Sequence, residues 1–571
     1  MFSKVDLILL HAPSVYDFRQ LPILFGPISD LVPSTPIFEM YPIGFSFISE
    51  HLEKNGLKVR IVNLAGRMLK DQKFDVEKFI SRLKTEAFGI DLHWLPHAHG
   101  SLEVAALCKK HHPKVPVIFG GYSATYFHEE LIRYPQVDYV VRGDSAEEPL
   151  RQLIMAIKGQ TTFREVPNLT WKDKEGKIRI NPLSHVIDNL NDLGNNYPHL
   201  FRQALKYLDL KSLIPIYDWW EYPITAVMTC RGCMHNCVFC GGSRFAGQYY
   251  CSRNSPAFRN PEKIARDIIT ISRLTNAPIF VVGDLRQAGL EYAHQILAPI
   301  KKVRPRNQVV LELFTPAAES YFKEVAEAFP HFNFEISPES HDEKVRYATG
   351  KFYTNEEMER TIHYALSHGC SKFDVFFMIG LPQQTAASVM ETIAYCEYLM
   401  QKFDRRLNLF ISPLAPFLDP GSLAFEKAEE LGYRILWRTL EDYRQALLAP
   451  SWKYTLSYET EWMSREDIVN VSYQAGLKLN RLKEKYGYIN QEIAQKTEER
   501  ILLARQMIAK IDQINSLAEP LRSQKLNELK DIFNQASMST ICDKEEIKWP
   551  VWRWPFKLPN IIKTILFRPP A

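Results

Sequence analysis

The sequence predicts an α/β protein built from two parallel-sheet units and closed by a helical C-terminal extension. Three observations predict it. Five short apolar runs alternate with amphipathic helical patterns before residue 165, six further strand-helix repeats run from about 218 to 432, and from 433 the pattern turns largely helical. At 571 residues the chain is too long for one core, and two to four domains are expected from domain sizes of about 100 to 200 residues. A composition of 46% hydrophobic and 24% charged residues is that of an ordinary globular protein. The net charge of +4 gives no global basic field, so no nucleic-acid partner is expected. No apolar run approaches the roughly 18 residues that span a bilayer.

In order, "VDLILLHAP" reads as a buried parallel strand, "PIGFSFISEHLEKNGL" as an amphipathic helix and "KVRIVNLA" as the next strand. The cycle repeats through "AFGIDLHW", "PVIFGG" and "VDYVVRG", each followed by a helical pattern. Ligands of such a sheet lie beyond the carboxyl ends of its strands. There stand Gly120 and Gly121 after the fourth strand, Arg142, Gly143 and Asp144 after the fifth, and Asp91, Leu92, His93 and Trp94 after the third. A glycine pair lets a flat ligand approach the backbone, or simply makes a tight turn. "VPNLTWKDKEGKIRINP" reads as a hairpin, and the Asn- and Leu-rich stretch to about Tyr217 as a linker, so the units are 1–165 and 166–217.

The stretch "GGYSATYFHEELIRYPQVDYVVRGD" resembles the cobalamin-binding domain found ahead of radical SAM domains. The resemblance implies a Rossmann-like fold that holds cobalamin, with Gly120, Gly121, His93, Arg142, Gly143 and Asp144 as candidate contacts. One departure is plain. Cobalamin domains that ligate cobalt from below carry Asp-x-His-x-x-Gly after the first strand, where this chain has "HAPSVYDFR", which implies a base-off cofactor without that histidine. His11 at that strand end is read as a hydrogen-bonded structural residue. His93, His97 and His99 share one loop, each a candidate for touching the cofactor.

"TCRGCMHNCVFCGG" places four of the nine cysteines within eleven residues. The opening "MFSKVDLILLHAP" has no basic-then-apolar leader, so the expectation is a cytoplasmic protein with reduced thiolates that bind metal. Two parses exist. Cys230-x2-Cys233 with Cys237-x2-Cys240 reads as back-to-back zinc knuckles, although three intervening residues are fewer than zinc ribbons use. Cys233-x3-Cys237-x2-Cys240 reads as three ligands of a 4Fe-4S cluster, which leaves one iron open to a substrate or cosubstrate. With Arg231-Gly232 before it and Phe239 inside it, this second pattern resembles the signature of the radical SAM superfamily. There the open iron binds S-adenosylmethionine, and an electron cleaves it to a 5'-deoxyadenosyl radical. Cys230 is read as a small buried side chain and Cys251 as a free thiol.

Later strand ends extend the resemblance. "PIFVVGD" ends in Gly283 and Asp284, where relatives place an acidic motif that meets the methionine amino group. "HFNFEISPES" ends in Glu339 and Ser340, like the "ES" that contacts ribose or carboxylate, with Pro338 altering the backbone. "MIGLP" supplies Ile379, Gly380, Leu381 and Pro382, matching the turn on which adenine packs. "LNLFISPLAPFLDPGS" is the sixth strand and its loop. The implied fold of 218–432 is a partial (β/α)6 TIM barrel with its chemistry at the carboxyl-terminal mouth.

Beyond it, 433–545 reads as a helical domain, in which Ile501, Ala504, Ile508 and Ile511 form a packing stripe. Trp452, Tyr454, Tyr458 and Trp462 either cover the barrel mouth or pack the core. The tail, 546–571, interleaves Trp549, Trp552, Trp554 and Phe556 with Lys548, Arg553, Lys557, Lys563 and Arg568. Such a mixture favours peripheral association with a membrane interface, or wraps on its own domain through cation-π contacts. The implied function is a cobalamin-dependent radical SAM methyltransferase acting on an unactivated carbon of a small-molecule or lipid-like substrate, with a reductant such as flavodoxin or ferredoxin. Radical cyclisation or rearrangement without methyl transfer is the alternative within enzymes, and a zinc-knuckle binding protein the alternative outside them.

Overall fold

A computed structural model describes residues 4–28, 43–194, 196–212, 219, 222–536, 542–549 and 554–566. Five parallel strands, β1 (Val5–His11), β2 (Val59–Asn63), β3 (Thr85–Asp91), β4 (Val117–Gly120) and β5 (Tyr139–Val141), form the first sheet. Their order is β2-β1-β3-β4-β5, with helices between them. β1 and β3 are buried on both faces, which is why each reads as an unbroken apolar run.

The hairpin expected between the two units does more than connect them. Its strands, β6 (Leu169–Lys172) and β7 (Ile178–Ile180), extend this sheet antiparallel to β5 and cover its edge, with Val141 opposite Leu169. The stretch read as a linker contains helix Tyr197–Tyr207, whose Gln203 Nε2 donates to Ser49 Oγ at 2.9 Å and so docks it on helix Gly44–Lys54.

His128 packs against β6, 3.0 Å from Thr170 Oγ1. Burial, aided by the Arg142 charge, holds its pKa down at about 4. Between pH 6.5 and 4 the unfolded chain binds a proton that the folded one refuses, so the contribution of His128 is intact above 6.5 and lost as pH falls through 4. The thermal midpoint of wild type is therefore expected to drop relative to that of His128→Gln when both are moved from pH 7.5 to pH 5. Parallel behaviour of the two proteins contradicts this.

The second sheet is wholly parallel and follows sequence order: β8 (Thr225–Met228), β9 (Ile279–Val282), β10 (Val309–Leu313), β11 (Phe332–Glu339), β12 (Lys372–Ile379) and β13 (Leu407–Pro413). Six strands in sequential order curl into an open barrel. Pro338 stands in a bulge where the β11–β12 register shifts between Ile336 and Glu339, and Glu339 has φ +69°.

At the β12 end, Gly380 has φ +96°, and an added Cβ would run into the Tyr458 hydroxyl and lie 3.1 Å from its Cζ. Gly380→Ala is expected to lower stability by about 2–4 kcal/mol, overpacking and backbone strain together. Tyr458→Phe in the same chain should relieve part of that loss in a urea titration.

The C-terminal helices do not form a core of their own. Helix Arg465–Lys485 sends Ile468, Val471, Ala475 and Leu479 into the barrel core. The stripe Ile501, Ala504, Ile508 and Ile511 is buried with Trp452 and Tyr473 against the first unit. Tyr458 is fully buried in the barrel core. The described part of the tail lies on the barrel domain: Phe556 stacks on Trp219, Trp549 on Phe280, and Lys557 Nζ donates to Ser272 O at 2.5 Å. Trp552, Arg553 and Arg568 fall outside the described residues. No helix among the described residues is long and apolar enough to cross a membrane.

Candidate active site

The carboxyl ends of the two sheets face one another across a cavity of about 490 Å3. On the first sheet its wall includes Asp91, His93, Gly120, Gly121, Gly143 and Asp144. On the barrel it includes Cys230, Cys233, Cys240, Gly283, Gln287 and Glu312. An apolar arm runs down the first sheet between Leu9, Ile118, Val141, Phe45 and Leu150. Gly89 keeps that strand face bare, since a Cβ there would come 2.8 Å from Leu9 Cδ2.

The cysteine loop is held from outside. Val238 N donates to Thr349 O at 3.1 Å, and Ala424 N to Val238 O at 2.7 Å. Gly350 lets the loop pass, because a Cβ there would lie 2.6 Å from Asn236 O. Cys233, Cys237 and Cys240 are half-buried, whereas Cys230 and Cys251 are buried. Burial foremost, with the neighbouring thiols adding to it, pushes Cys233 up to about 11 and Cys240 up to about 12. Backbone N–H groups of His235 and Gly242 point at the sulfurs of Cys233 and Cys240, each at 3.4 Å.

Two buried ion pairs lock the sheets together around this cavity. Arg253, downstream of the cysteines, forks onto Asp144, with side chains 2% and 4% exposed. Arg231 pairs with Glu147. Sequence reasoning found neither pair, because the partners stand 109 and 84 residues apart.

The structure departs from expectation at several candidates. Arg142 turns under the hairpin and donates to Asn181 O, away from the cavity. Asp284 is spent on Arg286 and on Phe314 N at 2.9 Å. On the barrel side the acid that lines the cavity is Glu312, which accepts the Gly283 N–H. Burial raises Glu312 to about 7. A signal for it existed, a single charge inside the apolar strand "VVLEL"; Glu335 and Asp374 repeat the pattern and sit beside it in register. Glu339 pairs with Lys351, and Ser340, Ile379 and Leu381 are fully buried. Gly380 N and Leu381 N donate to Gln384 Oε1 at 2.8 and 3.2 Å. Neither Glu339, Ser340 nor the 379–382 turn lines the cavity. His97 is buried and bonds Ala12 O at 3.1 Å, and His99 accepts Tyr16 N at 3.2 Å. Of the loop histidines, His93 alone reaches the cavity.

Residues 32–154 match the family model of the B12 binding domain, and residues 227–396 match that of the Radical SAM superfamily. The chain joins a B12 binding domain to a radical SAM domain. Its similarity to curated proteins is partial. The anaerobic magnesium-protoporphyrin IX monomethyl ester cyclase of Synechocystis sp. is 26% identical over 174 residues, 30% of this chain and 31% of that protein. The cytidylyl-2-hydroxyethylphosphonate methyltransferase of Streptomyces wedmorensis is 24% identical over 242 residues, 36% of this chain and 45% of that protein. The matches thus span less than half of either relative's length. In fold, the chain is similar to the radical S-adenosylmethionine methyltransferase TsrM from Kitasatospora setae, solved with cobalamin and a 4Fe-4S cluster. The TM-score is 0.58 at 13% identity, over 93% of this chain and 99% of that one. It is also similar to the cobalamin-dependent radical enzyme OxsB with aqua-cobalamin, at TM-score 0.51 and 13% identity, over 94% and 72%. The expected fold class stands: a Rossmann-like B12 binding domain, a radical SAM partial barrel and a helical extension.

The radical SAM domain's thiols suit a cubane. Three half-buried sulfurs on one clamped loop, disfavoured as free thiolates and two of them met by amide donors, gain most by binding cationic iron. The apolar arm and the glycine edge above it give the B12 binding domain a wall that suits a large, flat, partly apolar ligand.

Proposed function

We propose that this protein is a cobalamin-dependent radical SAM methyltransferase that acts on an unactivated carbon of a small-molecule substrate. One observation carries the reading: a single cavity is walled by Cys233 and Cys240 on one side and by the glycine edge of the B12 binding domain on the other. When bound, a 4Fe-4S cluster supplies the electron that cleaves S-adenosylmethionine, and cobalamin supplies a transferable methyl group.

The chain's own residues hold and shield. Cys233, Cys237 and Cys240 would hold the iron, with the His235 and Gly242 amides supporting the sulfurs of Cys233 and Cys240. Glu312 fixes the Gly283 turn on the cavity wall, and that turn would hold the methionine end of S-adenosylmethionine. The Arg253–Asp144 and Arg231–Glu147 pairs keep the two walls in register, so that two cofactors act on one substrate position.

The deciding experiment is anaerobic reconstitution with iron, sulfide, cobalamin and S-adenosylmethionine, followed by product analysis with candidate substrates. Methyl transfer yields 5'-deoxyadenosine and S-adenosylhomocysteine together. 5'-Deoxyadenosine alone supports the cyclisation or rearrangement reading, which the similarity to a cyclase favours. The absence of both products defeats the enzyme reading. Brown colour in oxygen-free protein separates the cluster from a zinc knuckle.

A low-potential donor such as flavodoxin or ferredoxin is the proposed reductant. Trp554, Leu558 and Ile562, exposed at four-residue spacing near Lys563, are proposed to rest on an anionic membrane surface and to admit lipid-like substrates. Changing all three to Ser should lower sedimentation with anionic liposomes at least severalfold. Equal sedimentation removes the membrane from the proposal.

A further inference from the structure

The first strand lacks the Asp-x-His that would place an imidazole beneath cobalt, but the third strand ends in Asp91-Leu92-His93. We propose, on the reading that cobalamin occupies the cavity, that His93 is the axial ligand to cobalt and that Asp91 and His11 orient it.

His93 Nδ1 lies 2.7 Å from Asp91 Oδ2, and His11 Nδ1 lies 3.1 Å from both oxygens of the same carboxylate. An ionised carboxylate only accepts hydrogen bonds, so both rings donate through Nδ1–H. With Nδ1 turned to Asp91, Nε2 is the ring nitrogen left to meet a ligand, on a ring that is 30% exposed and lines the cavity. Carboxylate–histidine–metal triads fix ring orientation and raise ligand basicity in the same way. A ligand atom from each of His11, Asp91 and His93 lies within 4.8 Å of the others, so the three groups converge.

The backbone holds the ring still. Leu92 N donates to Gly120 O at 2.8 Å, and Ala124 N to Leu92 O at 3.0 Å. Gly121, at φ +115°, lies so close that a Cβ there would meet His93 Cα at 2.5 Å and N at 2.6 Å. The second glycine of the pair thus serves to clamp the His93 loop. His97 and His99 are taken by Ala12 O and Tyr16 N, so neither competes for the position.

The test is electron paramagnetic resonance of the full chain loaded with cobalamin and reduced to the cob(II)alamin state. The expected spectrum shows each cobalt line split into a triplet by one nitrogen. The triplet becomes a doublet when the protein is grown on nitrogen-15 histidine. It collapses to single lines in His93→Gln, which still takes up cobalamin. His11→Gln should keep the splitting with an altered coupling, as expected of a positioning residue. A triplet untouched by the histidine label belongs to the cofactor's own base and overturns the assignment. So does an unsplit wild-type spectrum, or splitting that survives in His93→Gln. A wild-type chain that takes up no cobalamin overturns the proposed function as well, which separates the two failures.

Discussion

Alanine at any one of Cys233, Cys237 or Cys240 is expected to abolish cleavage of S-adenosylmethionine, lowering 5'-deoxyadenosine formation by more than about a hundredfold. The proposed cluster uses all three thiolates, and the two nearest other cysteines are buried where these three are half-buried. Cys251 is buried, and Cys230 is engaged with Gly232 O at 3.5 Å and Gln287 Nε2 at 3.7 Å. Iron content and visible absorbance should fall with the activity. Cys230→Ser, by contrast, should keep both. The loop's shape should survive the substitutions, because Thr349 and Ala424 hold it through the backbone of Val238. Full iron content in the three alanine variants would show that the ligands lie elsewhere.

Arg253→Met is expected to cost about 3–5 kcal/mol of stability, since it leaves the Asp144 carboxylate buried without its cation. Arg253 also donates to Ile187 O at 3.0 Å, so one side chain ties the β5 loop, the segment after the hairpin and the region following the cysteines. Asp144→Asn in the same chain removes the stranded charge and should recover much of the loss. Urea unfolding of wild type, both single variants and the double variant measures the coupling directly. Additive single effects would mean that the pair does not act as a unit. Because the pair joins the two cavity walls, Arg253→Met should also lower cobalamin retention after gel filtration, even where the fold persists.

What was readable in the sequence was local. β1 and β3 are buried on both faces, so their apolar runs were unbroken, and the helices between strands showed their periodicity. Cys233, Cys237 and Cys240 fall within eight residues, so the candidate metal site was legible as a spacing. The hairpin Leu169–Ile180 was legible as a hairpin from its turn, yet its place at the edge of the first sheet was not, because nothing in its residues states which edge is free. The charge in "VVLEL" was visible, but its presence in the cavity depends on which side of β10 the barrel encloses.

The sequence by itself therefore determined the two sheets, their order along the chain and the cysteine cluster, since each rests on periodicity or spacing within a few residues. Only the tertiary structure decided that the two sheets share one cavity, that Arg253 meets Asp144, and that His11 reaches Asp91 across 80 residues. Those contacts form between strand ends brought together by packing the whole core, and the energy that selects them is spread over residues far from either partner.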